Sequence, residues 1–368
     1  MMPFNDLNRT PPALRAELAA SVQRVLDRGW YILGPEVAAF ESEFASYCGV
    51  AHCLSVANGT DALEIALRAL GIGPGDGVAT VANAGGYSTT AIRAAGAEPH
   101  FVDIDPGTMT MSAANLAAAL TPRVRAVVAT HLYGRMADLP ALLEVAGRAG
   151  VPLIEDCAQS HGASIQGRKS GAWGALACFS FYPTKNLGAC GDGGAITTGD
   201  SALADRVKRL RQYGWSSKYH SVEYGRNSRL DDMQAAILRT KLPLLDGWNQ
   251  RRREIAARFS KSLTGSEIAC PRDFGEEYVA HLYVIRAPNR DALRADLAAR
   301  GVATEIHYPV PDHQQGSERR AGGAAVSLPE TERAAAEILT LPCYPEVRQD
   351  EIDRIAAALG ELAARGQA

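Results

Sequence analysis

The sequence lacks the features that mark membrane-spanning and exported chains. Its longest uncharged stretch, GVATVANAGGYSTTAI (77–92), is rich in Gly, Asn, Ser and Thr. A transmembrane helix needs about 20 mostly apolar residues, so this stretch does not predict one. The N-terminus, MMPFNDLNRT, has no basic segment followed by an apolar one, which is the pattern of a signal peptide. We therefore expect no membrane partner.

Paired cysteines and an excess of charge of one sign are also missing. The seven cysteines include no C-x-x-C pair, and an odd number argues against a complete disulfide framework. Reduced thiols in the cytoplasm are the simplest interpretation. The formal net charge is −3, with acidic and basic residues mixed along the chain. No basic surface for nucleic acid is therefore predicted.

Strand-like and helical patterns alternate from about residue 55 to residue 200. Four short apolar runs predict buried strands of a parallel sheet: GVATVA (77–82), PHFVDI (99–104), VRAVVAT (124–130) and VPLIED (151–156). Between them lie segments with helical spacing of apolar residues, such as LPALLEVAGRAG (139–150). This alternation predicts an α/β domain with a mostly parallel sheet flanked by helices.

A second, smaller α+β domain is predicted after a long helical stretch. With 368 residues, the chain exceeds the usual size of one domain. We expect a large domain over 1–245, including an N-terminal helical segment, and a small domain over 246–368. Pro243 and Gly247 predict a break or kink in the connecting helix. The segment 302–310 predicts a strand, and 314–325 predicts a mobile loop.

Two glycine-containing segments resemble phosphate-binding motifs but do not match them. GIGPGDG (71–77) follows a helical pattern and precedes a strand, the reverse of the order in a dinucleotide-binding motif. It predicts a helix C-cap and a turn. GASIQGRKS (162–170) places Arg168 where a P-loop has its lysine. It predicts a hairpin-like turn.

Three other segments together suggest a cofactor site. Asp156 ends a predicted strand, and ligands of open α/β sheets bind at such strand ends. Gly59 and Thr60 open a helix directly after a strand, which creates an anion site. Ser180 and Lys185 follow another strand. For Asp156 an N-cap or a structural salt bridge is the alternative, and for Asn58 or Thr60 ordinary helix capping.

This combination matches what pyridoxal 5'-phosphate (PLP) needs. The cofactor requires an anion cup, an acid facing its pyridine nitrogen and a lysine that binds its aldehyde. We further expect the aromatic run before Lys185, FSFY (179–182), to exclude water from the site. The glycines after Lys185 are expected to leave room for the cofactor.

The chain resembles the DegT/DnrJ-type sugar aminotransferases, PLP enzymes of the aspartate aminotransferase fold (fold type I). The resemblance covers nearly the whole chain, from GWYILGPEVAAFE (29–41) to LPCYPEV (341–347). Its most specific motifs are NGTDAL (58–63), EDCAQSHGA (155–163), SFYPTKNLGACGDGGA (180–195) and GRNSRLDDMQAAIL (225–238).

The resemblance implies roles for individual positions. Lys185 is the Schiff-base lysine, Asp156 faces the pyridine nitrogen, and Gln159 bonds near the ring hydroxyl. The positions that contact the phosphate are Gly59, Thr60, Ser180 and Asn227, the last from a partner subunit; Tyr87 stacks on the ring. Alternatively, Gln159 satisfies backbone groups, Tyr87 is a core aromatic and Asn227 is a turn residue.

The resemblance also implies the substrates. The amino donor is expected to be glutamate. The acceptor is expected to be a nucleotide-linked keto-sugar, and the best candidate is a dTDP-3-keto-6-deoxyhexose. His307, Tyr308 and His313 in EIHYPVPDHQQ (305–315) are expected to bind the sugar or its diphosphate. His307 could instead be satisfied within the small domain. Two histidines six residues apart make a poor metal site, so no metal is expected.

Other functions remain open at this point. The acceptor could be a 4-keto-sugar or a keto-cyclitol. The dehydratases of this family carry histidine in place of the lysine, so a sugar dehydratase disagrees with Lys185. A non-catalytic regulatory homologue is a further alternative. Because Asn227 would reach the partner's phosphate, we expect a two-fold homodimer with a shared active site.

Overall fold

The computed structural model describes residues 2–322 and 326–365. Its helices are α1 (Pro12–Arg28), α2 (Pro35–Cys48), α3 (Gly59–Ala69), α4 (Tyr87–Ala94), α5 (Ala113–Ala119), α6 (Leu139–Arg148), α7 (Ser201–Leu210), α8 (Asp232–Lys241), α9 (Leu245–Ser262), α10 (Arg290–Ala299), α11 (Gly316–Arg320), α12 (Pro329–Glu337) and α13 (Gln349–Arg365). Its strands are β1 (His52–Val56), β2 (Gly77–Val81), β3 (Glu98–Val102), β4 (Val124–Thr130), β5 (Leu153–Asp156), β6 (Ser164–Ile165), β7 (Arg168–Lys169), β8 (Leu176–Ser180), β9 (Gly194–Thr198), β10 (Trp215–Ser217), β11 (His220–Ser221), β12 (Tyr283–Arg286) and β13 (Ile338–Leu341).

A seven-stranded sheet in the order β1-β9-β8-β5-β4-β2-β3 forms the centre of the molecule. β9 runs antiparallel to both of its neighbours, while the other pairs are parallel. The prediction of a mostly parallel sheet is thus confirmed. Because β2, β4, β5 and β8 all run in one direction, their carboxyl ends meet at one edge.

Alternating side chains of the central strands pack into separate clusters on the two faces of the sheet. In β4, Ala126 and Val128 join the cluster that contains α3, α4 and α7. Val127 and Ala129 join the cluster that contains α5 and α6. Because both faces of β4 are covered, its side chains are apolar on both sides. The alternation of apolar and polar residues that marks a half-exposed strand is therefore missing from VRAVVAT.

The C-terminal part of the chain has its own apolar cluster around the antiparallel pair β12–β13. Helices α9, α10 and α13 supply most of the remaining members. Met2 also belongs to this cluster, and its backbone N–H donates to the carbonyl of Gly301 over 2.7 Å. The division of the chain at residue 245 stays a prediction. The break in the helix lies at Leu242–Leu244, which contains Pro243, whereas Gly247 lies inside α9.

Of four predictions about short segments, two are confirmed and two are wrong in part. GIGPGDG connects α3 to β2, with Gly71 at φ 79°, and GASIQGRKS contains the hairpin β6–β7; both predictions are confirmed. The loop predicted over 314–325 is wrong in part, because Gly316–Arg320 is helical; residues 323–325 lie outside the described residues. The strand predicted over 302–310 is reduced to single bridges at Val302 and Glu305.

No helix in the described ranges has the length and apolar content needed to cross a membrane.

Candidate active site

A cavity of about 880 Å³ opens at the carboxyl edge of the parallel strands, between the central sheet and the C-terminal part of the chain. Predicted site residues from five separate segments line it: Gly59, Thr60, Tyr87, Asp156, Gln159, Ser180, Lys185, His307 and Tyr308. The fold therefore brings together most of the residues that the sequence indicated. Asn227 and His313 do not line this cavity.

Asp156 ends β5 with its carboxylate held by neutral donors. The hydroxyl groups of Ser88 and Thr130 lie 3.3 Å from Oδ2, and the N–H of Ala158 donates to Oδ1 over 3.1 Å. The side chain is buried and has no basic partner within ion-pair distance among the described residues. A structural salt bridge is thereby excluded for the described part of the chain. An unpaired, oriented carboxylate at this place suits a cationic ligand atom.

The first turn of α3 presents backbone N–H groups to the cavity. Asn58 caps the helix by accepting the N–H of Asp61 over 2.8 Å. The N–H groups of Gly59 and Thr60 have no acceptor in the described structure, and both residues line the cavity. The first N–H groups of a helix lack intrahelical partners and favour an anion. The capping alternative is therefore correct for Asn58 and compatible with an anion site.

Gly59 is required at this position for a steric reason. A Cβ on Gly59 would lie 2.7 Å from Cβ of Ser180. The missing side chain lets the N-terminus of α3 approach the end of β8 directly, so that Gly59, Thr60 and Ser180 border one concave surface.

Lys185 lies in the turn after β8, where its N–H donates to the carbonyl of Tyr182 over 2.8 Å. The residue is half-buried and faces the cavity. Desolvation in this position lowers the pKa of Lys185 to about 8, and the negative charge of Asp156 opposes that change. Because a larger share of the amine is neutral near pH 8, Lys185 is a better nucleophile than a solvated lysine.

A buried hydrogen-bond network follows Lys185 in the chain. Asn186 Nδ2 donates to Asn249 Oδ1 over 2.8 Å and to the carbonyl of Val279 over 3.1 Å. Both amide hydrogens are then used, so Asn186 Oδ1 accepts from Nδ1 of His281 over 2.9 Å. Burial, followed by the charge of Lys185, lowers the pKa of His281 well below its usual value. His281 is therefore a neutral ring that lines the cavity.

Aromatic and amide groups form the opposite wall. Gln159 Oε1 accepts the N–H of Tyr133 over 2.6 Å, and its Nε2 lies 3.3 Å from the Tyr308 hydroxyl. The backbone alternative for Gln159 is thus correct for one of its two polar atoms. Tyr87 is 51% exposed and meets the Tyr308 ring edge-on at 6.0 Å, so it is not a core aromatic.

The remaining predicted residues lie in different surroundings. His307 Nδ1 is 3.0 Å from the Thr340 hydroxyl, which satisfies one ring nitrogen within the C-terminal part. His313 is outside the cavity, with Nε2 3.1 Å from Glu332. Asn227 is exposed, bridges to Gln212 beside the β10–β11 hairpin and does not line the cavity.

Two expectations about the segment around Lys185 need correction. Phe179 and Phe181 pack away from the cavity, against Phe40 and Phe44, and of the FSFY run the cavity is lined by Ser180 and Tyr182. The alternation of side chains in β8 explains this.

The glycines after Lys185 allow close backbone contacts. A Cβ on Gly188 would collide with the Pro183 carbonyl, and one on Gly194 would lie 2.5 Å from the carbonyl group of Asn58. They bring the backbone of the loop and of β9 close to its neighbours, and neither lines the cavity.

One cluster in the described residues has metal-ligand character: His131, Glu155 and Cys157. Glu155 points to the opposite face from Asp156 and accepts from His131 and from the N–H groups of Gly171, Trp173 and Gly174. Burial raises the pKa of Glu155, but these hydrogen bonds outweigh it and leave the pKa lowered. The carboxylate is thus already saturated by protein donors, and the cluster is structural.

Sequence reasoning missed several residues that shape the cavity. Thr130 ends β4 beside Asp156 and follows from the strand-end rule that identified Asp156. Asn186 adjoins Lys185, but its partners Asn249 and His281 lie far away in the chain. Arg252 also lines the cavity, and its segment, NQRRREIAARF, gives no signal that separates it from the neighbouring arginines.

The chain is similar to known proteins along nearly its whole length. The model of the DegT/DnrJ/EryC1/StrS aminotransferase family matches residues 12–360. A dTDP-3-amino-3,4,6-trideoxy-alpha-D-glucose transaminase from Streptomyces venezuelae is 45% identical, with 99% of this chain and 97% of the relative aligned. A protein of Geobacillus stearothermophilus named pleiotropic regulatory protein is 41% identical, with 98% of each chain aligned.

A solved structure is also similar throughout. The crystal structure of S. venezuelae DesV in complex with a ketimine intermediate superposes with a TM-score of 0.94 and 46% identity, covering 98% of each chain. The predicted fold, a PLP-dependent transferase fold of type I, is confirmed by this likeness.

Proposed function

The chain belongs to the DegT/DnrJ/EryC1/StrS aminotransferase family, and we propose that it uses PLP to move an amino group from glutamate to a nucleotide-linked keto-sugar. The acceptor proposed is a dTDP-3-keto-6-deoxyhexose, because a relative of 45% identity is named for a 3-amino product of this class. The reaction would belong to amino-sugar biosynthesis. Location in the cytoplasm remains a prediction from the number of cysteines.

The observation that carries the proposal is the placement of three unlike groups around one cavity. A lysine with lowered pKa, an unpaired carboxylate and a helix N-terminus with free N–H groups all face it. These are the donors and charges that fit the aldehyde, the pyridine nitrogen and the phosphate of PLP. The absence of a Cβ at Gly59 supports the phosphate position, because it lets the N-terminus of α3 lie directly beside Ser180.

The roles of the chain's own residues follow from this arrangement. When bound, PLP supplies an electron sink for the carbon from which a proton is removed. Lys185 would bind the cofactor's aldehyde and, once the donor's amine has taken its place, would move a proton between the donor's α-carbon and the former aldehyde carbon of the cofactor. Asp156 would keep the ring nitrogen protonated, and Ser88 and Thr130 hold the carboxylate of Asp156 in place.

The other side chains orient and enclose the reactants. Gly59, Thr60 and Ser180 would hold the phosphate, Tyr87 would cover one face of the ring, and Gln159 would lie near the ring hydroxyl. His307 and Tyr308 border the space left for the sugar. The pKa of His307 is lowered to about 4 by burial and then by the charge of Lys185, so a neutral imidazole would meet the sugar. A direct sugar contact is not proposed for His313, which lies outside the cavity.

A homodimer with shared active sites is part of the proposal. Exposed aromatic and aliphatic side chains lie on the connection between α1 and α2 and on the segment 213–224: Trp30, Tyr31, Ile32, Tyr213, Tyr219, Val222 and Tyr224. Such a set on the surface of one chain suits a subunit interface. Asn227 follows this segment and would complete the phosphate site of the partner subunit.

Product analysis tests the proposed reaction. The purified enzyme with PLP and glutamate is offered a panel of nucleotide-linked 3-keto and 4-keto sugars, and mass spectrometry with fragmentation locates the new nitrogen. We expect amination at C3 of a dTDP-linked sugar. Amination confined to C4, or to a keto-cyclitol, would reject the proposed acceptor; absence of amine transfer to any acceptor would reject the reaction itself.

Two alternatives make different demands on the chain. A dehydratase requires replacement of the lysine, which is present as Lys185. A regulatory protein is suggested by the name of one relative, but it does not require a lysine of lowered pKa beside an unpaired carboxylate. The experiment adds glutamate, without an acceptor, to the PLP-loaded protein. If the protein binds PLP but glutamate does not convert the bound PLP to its amine form, the result would favour the regulatory function.

A further inference from the structure

Arg252 is a buried cation without a carboxylate partner in the described structure. Three arginines are buried there: Arg211, Arg252 and Arg286. Arg211 pairs with Glu41 at 2.5 Å and Arg286 with Glu337 at 2.8 Å. Arg252 is 5% exposed and forms no ion pair within the described ranges. A buried charge is costly unless it is paired. An unpaired cation at the wall of a cavity therefore indicates a binding site for an anionic group.

The hydrogen bonds of Arg252 leave part of its guanidinium group unused. Nη1 donates to the carbonyl of Cys343 over 2.5 Å and lies 3.4 Å from that of His281. Nε is buried and has no partner, and Nη2 donates to no group in residues 2–322 or 326–365. Burial lowers the pKa of Arg252 from its usual range, but a guanidinium group stays protonated at neutral pH. Two backbone bonds thus anchor a cation whose Nη2 group has no acceptor among the described residues, and the residue lines the cavity.

A hydrogen-bond network connects Arg252 to the segment that carries Lys185. Asn249 bonds to Asn186, the neighbour of Lys185, and Arg252 follows Asn249 by three residues in α9. Residues three apart lie on the same helix face. His281 connects the same groups, through its ring to Asn186 and through its carbonyl to Arg252. Arg252 and Lys185 both line the one cavity.

We propose that Arg252 is the subsite for a carboxylate group of the amino donor. The inference rests on the proposed function, in which an amino acid must bring its α-carbon to Lys185. A carboxylate of that molecule lies within a few bonds of the same carbon, and its planar fork matches guanidinium donors. The cofactor phosphate has a separate site at the start of α3. The diphosphate of a nucleotide-sugar is separated from its keto carbon by the sugar ring.

The test measures binding of two anions that cannot react, together with steady-state kinetics. Glutarate carries the carboxylates of glutamate without its amino group, and thymidine diphosphate represents the nucleotide. Titration calorimetry on the PLP-loaded wild type, Arg252→Met and Arg252→Lys gives both affinities. Arg253→Met is the matched control, because this neighbouring arginine is half-buried and lies on a different face of α9.

We expect Arg252→Met to weaken glutarate binding and to raise the KM for glutamate by about tenfold or more, as for loss of a charged hydrogen bond. Thymidine diphosphate should bind with unchanged affinity to both variants. Arg252→Lys keeps the positive charge but lacks the planar pair of guanidinium donors. Its affinity for glutarate and its KM for glutamate should lie between those of Arg252→Met and wild type. If Arg252→Met does not fold, the lysine variant decides the question. Arg253→Met should match wild type.

Two results would overturn the assignment: wild-type affinity for glutarate in a folded Arg252 variant, or a loss of affinity for thymidine diphosphate in its place. Failure of the proposed function is separately visible, because wild-type enzyme would then transfer no amino group from glutamate to any keto-sugar. Normal wild-type turnover with unchanged glutarate binding in the variants rejects the Arg252 subsite alone.

Discussion

At Lys185, desolvation and a nearby negative charge act in opposite directions on the pKa. Burial favours the neutral amine and Asp156 favours the ammonium, with the result that the pKa falls from 10.5 to about 8. The neutral amine is the form that attacks an aldehyde. Lys185 therefore gains reactivity from its surroundings, and under the proposed function the unpaired charge of Asp156 would face the ring nitrogen.

The rate at which cofactor-free protein binds PLP should report this balance. Because the fraction of neutral Lys185 rises through the pKa, we expect the rate of covalent attachment to increase with pH with a midpoint near 8. In Asp156→Asn the midpoint should move to lower pH, since the charge that raises the pKa of Lys185 is gone. Stopped-flow absorbance measures the rate, and a midpoint near that of free lysine in wild type would contradict the account.

At the scale of elements, the end of each parallel strand and the start of α3 determine the site. The strand-end rule identified Asp156 from the sequence, and the same rule covers Thr130. The packing of FSFY could not be read in the same way, because a strand buried by a second layer hides which side chains face the cavity. Phe179 packs against α2 in an apolar cluster that also contains residues of α8, whereas Ser180 lines the cavity. The positions of these helices, which the local sequence does not show, determine which face of β8 is covered.

Gly59→Ala should damage both stability and cofactor binding. Its methyl group would meet Cβ of Ser180 at 2.7 Å, so α3 must move away from β8. Overpacking of this kind costs about 1–3 kcal/mol, and the displaced N–H groups should bind phosphate less well. Thermal unfolding and the dissociation constant for PLP measure the two effects.

Gly247→Ala provides the control for that substitution. Gly247 lies inside α9, is exposed, and has no atom within 4 Å of an added Cβ. Alanine should stabilise the protein by about 0.5–1 kcal/mol through helix propensity and leave PLP affinity unchanged. Equal effects of the two substitutions would show that close approach of α3 to β8 has no special importance.

At the scale of the whole molecule, the sequence predicted the two layers of helices and the parallel sheet, because hydrophobic pattern determines layering. It could not predict the contacts that connect distant segments in the cavity. Asn186 meets Asn249 and His281 across 63 and 95 residues, and no local pattern encodes such pairs. Likewise His313 belongs to the expected segment, 305–315, but its ring contacts Glu332 of α12 and Phe101 of β3, two residues that are distant from it in the chain.

Mixing of inactive subunits tests the proposed dimer. If Asn227 acts on the partner's cofactor, Lys185→Ala and Asn227→Ala homodimers are both impaired, but a mixed dimer contains one intact site. Refolding an equal mixture should restore activity to about a quarter of the wild-type value, since half of the dimers are mixed and each has one working site. No recovery in a mixture that sedimentation shows to be exchanged would contradict a shared site.

The central claim is that Lys185 is the amine that binds the cofactor. Borohydride reduction of the PLP-loaded protein, followed by digestion and peptide mass spectrometry, identifies the modified lysine. Lys241 is the matched control, because burial also lowers its pKa while its Nζ donates to the carbonyl of Gly188 over 2.7 Å. We predict one pyridoxyl adduct on Lys185 that disappears in Lys185→Ala and persists in Lys241→Ala. An adduct on another lysine, or an undiminished visible absorbance in Lys185→Ala, would contradict the account.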